Sequence, residues 1–256
     1  MARPRKAAPP RGFVVYDGPS MLTGERIVCV ATLHSTNRKT GDMVQTWILL
    51  ADRDPIAGSR SGADISICGN CESRGIADPE ATTGLAKKRK CYVDLGRAPM
   101  GIWNAWCRGI YPVASGHAAI AAVGRGRAVR LGAYGDPAAI PSYVNESLLS
   151  EAAGHTAYSH QSDWTGAGFD AARMMVSADS LAGAQRAWDS GARTFRVVGA
   201  VREVVRGREV LCPASEEAGK RTQCARCLLC GGASVKAKSI AIVVHGAGKR
   251  HHRAAA

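Results

Sequence analysis

Three cysteines three residues apart in CARCLLC (Cys224, Cys227, Cys230), with Cys212-Pro213 twelve positions upstream, are the residues of this chain best suited to chemistry. Thiolates repeated at that interval bend toward one point, and core packing gives no reason for the repeat. The geometry suits one iron–sulfur cluster or one zinc ion. Three close cysteines plus a remote fourth is a cubane (4Fe-4S) spacing, whereas zinc more often takes two separated Cys-x-x-Cys pairs.

A second group begins at CGNC (Cys68, Cys71) and continues with Cys91, with nineteen residues between it and Cys71, and Cys107. A Cys-x-x-Cys knuckle offers two thiolates along one edge of a tetrahedron, and two further thiols complete it. Cys91 is the expected third ligand; Cys107 is either the fourth or a core residue on a helix. The competing reading of CGNC is thiol redox chemistry, but redox motifs of this form sit where a strand meets a helix, and here the surroundings are turn-rich. Cys29, inside an apolar run, reads as a small core hydrophobe.

The elements that must hold these groups change character halfway along. GFVVYDG, ERIVCVATLH and DMVQTWILLA read as three strands within a β-like stretch from 13 to 66, and 66–91 reads as a loop that a metal would order. APMGIWNAWCRGIYP reads as a short helix ending at Gly109 and Pro112, with Trp103 and Trp106 either in the core or offered to nucleic-acid bases. From 127 the chain alternates apolar strands with helical stretches at 138–152 and in LAGAQRAWDSG. An irregular piece falls between YSHQ and RMMVSADS.

Such repeats imply a parallel sheet, open or closed into a partial (β/α) barrel, with ligands beyond the carboxyl ends of the strands. Those ends carry Tyr134, Asp136, His160, Gln161 and Asp179, the candidate pocket residues that would supply acid, base or orienting groups. Asp136 and Ser180 also stand where helix N-caps belong. The expected organisation is one α/β domain at 13–246, with a β-rich part at 13–112, strand–helix repeats at 127–246, cysteine-rich metal-binding loops, and disordered basic arms at 1–12 and 247–256.

The formal net charge is +13 over 256 residues. Part of it is the run Lys87, Lys88, Arg89 and Lys90, which either contacts nucleic-acid phosphates or is a solvated face. NRKTG at 37–41 reads as a basic hairpin turn or a phosphate contact. No RNP-type, helix-turn-helix or GxSxG signature occurs. No run of about 18 apolar residues occurs, and the basic, proline-rich MARPRKAAPPRG has no secretory character. The expectation is a non-membrane protein of a reducing cytoplasm, where clustered thiols more often hold metals than disulfides.

Taken together, YDGPSMLTGERIVCVAT, NRKTGDMVQTWIL, ICGNCESR, CYVDLGRAPMGIWNAWCRGIYP, VRLGAYGDPAAIP, YSHQ, VSADS, TFRVV, VLCPAS and QCARCLLC resemble an uncharacterised family of cysteine-rich bacteriophage proteins, over about 13 to 246. More distantly, the chain is similar to phage proteins related to radical-S-adenosylmethionine barrels. The first resemblance implies a host-cytoplasmic setting. The second implies an iron–sulfur enzyme using S-adenosylmethionine, although CARCLLC has two residues in each gap where those enzymes have Cys-x-x-x-Cys-x-x-Cys.

Overall fold

The computed structural model describes residues 9–161 and 169–245. The expected tail at 247–256, most of the expected arm at 1–12 and the irregular piece after YSHQ lie outside the described residues. The β-branched, apolar segments β1 (Gly12–Pro19), β2 (Arg26–Thr32) and β3 (Val44–Leu50) form an antiparallel meander, as their alternation implies. Cys29 is fully buried in the core on this sheet.

The stretch from 13 to 66 is not β throughout. Helix α1 (Pro55–Ser61) follows β3, with Pro55 in its first turn and Asp54 accepting from the Ile56 and Ala57 amides at 2.8 and 2.9 Å. Asp-Pro is a helix-start signal that the apolar pattern around it obscures. Helix α2 (Ile65–Cys68) then runs directly into the CGNC knuckle.

Helix α3 (Ala98–Cys107) carries both tryptophans into packing against the core, and the Trp103 indole donates to the Leu50 carbonyl at 3.1 Å. They are structural residues here. Helix α4 (His117–Gly124) precedes β4 (Ala128–Tyr134). The helix expected at 138–152 is divided: a 3-10 turn spans Pro137–Ala139, and helix α5 spans Ser142–Ser150. Ile140 is extended because Pro141 disfavours a helical residue before it.

Strands β5 (Gly154–Thr156), β6 (Tyr158–Ser159) and β7 (Met175–Ala178) follow, then helix α6 (Leu181–Asp189) and strands β8 (Thr194–Val198) and β9 (Glu209–Leu211). Helix α7 (Cys224–Cys227) and strand β10 (Ser239–Val243) complete the fold.

The protein is α/β with two sheets. The first is mixed, in the order β1-β2-β3-β4-β5, with β3, β4 and β5 parallel; the second, β6-β7-β8-β10-β9, is parallel throughout. The strand–helix repeats thus do not share one sheet. At Ala157 the chain passes between the sheets: its amide donates to the Cys230 carbonyl at 3.0 Å and its carbonyl accepts from Met175 at 2.9 Å. Among the described residues the outer strands β1 and β9 do not pair with each other, so the series stays open.

Inside the second sheet, the Arg196 guanidinium meets the Glu209 carboxylate at 2.9 and 2.6 Å, joining β8 to β9 across β10 with both side chains buried. Among the described residues, no helix is long and apolar enough to cross a membrane.

Candidate functional site

The carboxyl ends of β4, β6, β7 and β10 converge on a cavity of about 500 Å³. Seven of the nine cysteines line it: Cys68, Cys71 and Cys91 from one group, and Cys212, Cys224, Cys227 and Cys230 from the other. Two motifs more than a hundred residues apart therefore face a single space. Cys107 is not among them; it lies exposed at the end of α3, so the expected fourth thiol of the CGNC group is directed elsewhere.

The first wall is built around Gln161, which is wholly buried. Its carboxamide nitrogen donates to the Cys68 carbonyl at 3.0 Å and its oxygen accepts from the Asn70 amide at 3.3 Å, fixing both sides of the knuckle turn. Gly69 makes that approach possible, with φ of 53° and no side chain where the carboxamide lies. Asp136 accepts from the Ala138 amide at 3.0 Å and from the His160 amide at 2.8 Å. Its carboxylate therefore caps the turn after β4 and orders the end of β6 together. Arg89 donates to the carbonyls of Cys91 at 3.0 Å and Val93 at 2.9 Å, and the Asp64 carboxylate holds Arg74 across the same loop.

His160 presents Nε2 to the Cys71 sulfur at 3.6 Å and to the Asp179 carboxylate at 3.4 Å. Burial works against its cation, but Asp179 and Cys71 outweigh burial and hold its pKa well above the usual imidazole range. Tyr134 is buried on the same side, and among the described residues its hydroxyl has no hydrogen-bond partner. Burial first, then the neighbouring Cys68 and Asp64, raise its pKa well above the ordinary phenol value.

The second wall rests on NRKTG. The amides of Cys224 and Ala225 donate to the carbonyls of Lys39 and Thr40 at 3.1 and 2.8 Å, and Gln223 donates to the Arg38 carbonyl at 2.9 Å. Gly41, at φ 73°, packs against Gln223 and Ala225. The loop thus serves as the cradle for α7. Leu228 adopts a left-handed conformation at φ 51°, which turns the chain toward Cys230. Arg193 then donates to the carbonyls of Leu229 and Gly232, both at 2.8 Å, and pins the turn. Burial pushes the Cys230 thiol up to about 12; the Tyr158 hydroxyl bonded to it opposes this, and Cys212, Cys224 and Cys227 add to it.

The Cys230 sulfur thus lies within electrostatic reach of the other three. Still, no three His, Cys, Asp or Glu side chains among the described residues stand close enough to hold a metal ion as they are.

The basic run divides. Lys87 pairs with Asp78 at 2.6 Å, Lys88 is exposed, Arg89 turns inward to the carbonyls above, and Lys90 lines the cavity. It is not a four-cation face. Ser180 caps α6 through the Gly183 amide at 3.1 Å and does not line the cavity. Sequence reasoning missed Arg130, Tyr158 and Arg193. Arg130 and Arg193 each sit in or beside an apolar strand, and a charge in such a place is a signal that it faces something polar.

Fold and cavity define an α/β protein with a thiol-rich cavity at the carboxyl edges of its parallel strands. No family model, no curated protein and no solved structure matches the chain.

Proposed function

We propose that this protein is an iron–sulfur enzyme, with a cluster held by Cys212, Cys224, Cys227 and Cys230 at one end of the cavity and a small substrate bound between the two cysteine groups. The observation that carries the reading is that both motifs and the polar strand ends line one space. A lone zinc would need sulfurs about 3.8 Å apart, given bonds of about 2.3 Å in a tetrahedron. Among the described residues no three His, Cys, Asp or Glu side chains stand close enough to hold a single ion. A cluster brings its own iron and sulfide and reaches a wider set of thiols.

When bound, such a cluster supplies one-electron chemistry. The chain's own residues bind, orient and move protons. His160, whose Nε2 faces both Asp179 and Cys71, would give or take a proton at that nitrogen. Gln161 and Asp136 hold the first wall in shape. The CGNC group with Cys91 is the candidate second metal site. The same reading takes the open strand series as a partial barrel around the cavity, and the chain as a cysteine-rich bacteriophage protein of the host cytoplasm. The inward turn of Arg89 and the pairing of Lys87 favour it over a zinc-bearing nucleic-acid binder.

The test is purification without oxygen followed by iron, sulfide and zinc analysis. The expected result is a brown protein with about four irons for each cubane. A colourless, iron-free protein holding two zinc ions ends the iron–sulfur reading.

A further inference from the structure

On the cavity wall formed by β4 and β5, a guanidinium meets no carboxylate and a buried hydroxyl has no partner among the described residues. Arg130 and Thr156 are register partners on these adjacent parallel strands, and both line the cavity. The Thr156 hydroxyl is buried and, among the described residues, has no hydrogen-bond partner. Arg130 donates to the Tyr92 hydroxyl at 2.7 Å and, among the described residues, meets no carboxylate. Lys39 reaches the same cavity from the NRKTG loop, with Nζ 3.2 Å from His245 Nε2.

The carboxylates that line the cavity are engaged elsewhere: Asp64 with Arg74, Asp136 with the Ala138 and His160 amides, Asp179 with His160. The Cys212 and Cys224 sulfurs and Glu217 act on Lys39 only through their fields, and Arg130 and Lys39 repel each other. Two cations and a spare hydroxyl thus share a cavity that Phe195, Ile240 and Ile242 also line. Partly buried cations without a carboxylate partner are costly, and so is a buried donor without an acceptor.

We propose that Arg130, Thr156 and Lys39 form a binding site for the phosphate or carboxylate group of a small organic anion, seated between the two cysteine groups. The guanidinium gives a two-pronged contact, the hydroxyl a third donor and the ammonium a point charge, in a low-dielectric setting that strengthens all three. A cavity of about 500 Å³ admits a metabolite-sized molecule. The site deepens the reading of the cavity as a substrate pocket, but it stands on cations and hydroxyls and needs no metal.

The experiment is equilibrium dialysis of the anaerobically purified full chain with radiolabelled inorganic phosphate, and with citrate in a parallel arm, while iron is measured on the same samples. Wild-type protein and an exposed-arginine control, Arg26→Met, are expected to bind one of the two probes alike. Preference for phosphate or for citrate identifies the group recognised. Arg130→Met is expected to weaken binding by roughly tenfold or more, with Arg130→Lys intermediate. Thr156→Val is expected to weaken it several-fold while leaving the melting temperature unchanged or raised, because it removes an unpartnered hydroxyl.

If wild type binds neither probe, or if binding is the same in Arg130→Met and Thr156→Val, the proposal is overturned. Loss of iron from Arg130→Met, with no anion bound by wild type, assigns the cations to the cluster and overturns it equally. Arg130-dependent binding by an iron-free wild type leaves this site standing and ends the iron–sulfur reading.

Discussion

Gln161 and Cys68, ninety-three residues apart in the chain, are joined by a 3.0 Å hydrogen bond from the Gln161 carboxamide to the Cys68 carbonyl, and through it the end of β6 shapes the CGNC knuckle. The thiols of the first wall therefore depend on a wholly buried amide that is itself no ligand.

Replacing that amide should loosen the wall. Gln161→Ala leaves the Cys68 carbonyl and the Asn70 amide without their partner, and we expect a loss of about 2 kcal/mol or more. Gly69→Ala should cost more, since a side chain there meets the carboxamide and the backbone stands at positive φ. Urea unfolding followed by circular dichroism reads both. Unchanged midpoints would show that the knuckle holds its shape without Gln161.

The Arg196–Glu209 pair makes a different prediction because both partners are buried. Glu209→Ala strands a guanidinium in the core and should destabilise by about 3–5 kcal/mol. A double replacement by Met at Arg196 and Leu at Glu209 should recover most of that loss. A single variant as stable as wild type would mean that water reaches the pair.

Cysteine reactivity should separate the three environments. Cys107 is exposed and should be alkylated first under native conditions. Burial pushes the Cys29 thiol up to about 12, so it should stay unmodified until the protein unfolds. Peptide mass spectrometry after brief iodoacetamide treatment gives the order, and early labelling of Cys29 would contradict the burial described for β2.

Ligand assignment divides along the same line. Cys224→Ala should remove the visible charge-transfer absorbance expected of the cluster, while Cys107→Ser should keep the full metal content. Loss of metal from Cys107→Ser would return that residue to the site.

Much of the scaffold was legible beforehand because period and turn chemistry act locally: the three-strand meander, the tryptophan helix and α6 follow from residues close in sequence. The split into two sheets was not. It rests on the change of partners at Ala157, which no local pattern encodes. The cysteine motifs were visible by spacing, yet their facing one cavity is a tertiary fact. The docking of NRKTG under CARC also escaped notice, since backbone carbonyls such as that of Lys39 leave no mark in side-chain identity. Asp136 was readable as a cap; its second bond, to the His160 amide, was not.

The crossing at Ala157 also bears on the order of assembly. Residues 68–91 furnish one wall and 212–230 the other, and the Cys230 carbonyl bonds the very residue at which the chain changes sheets. During synthesis the first wall emerges long before the second, so the enclosure closes only after most of the polypeptide has appeared. Any ligand that touches both walls therefore meets them together only after residue 230 has been made, too late to seed the folding of the first wall.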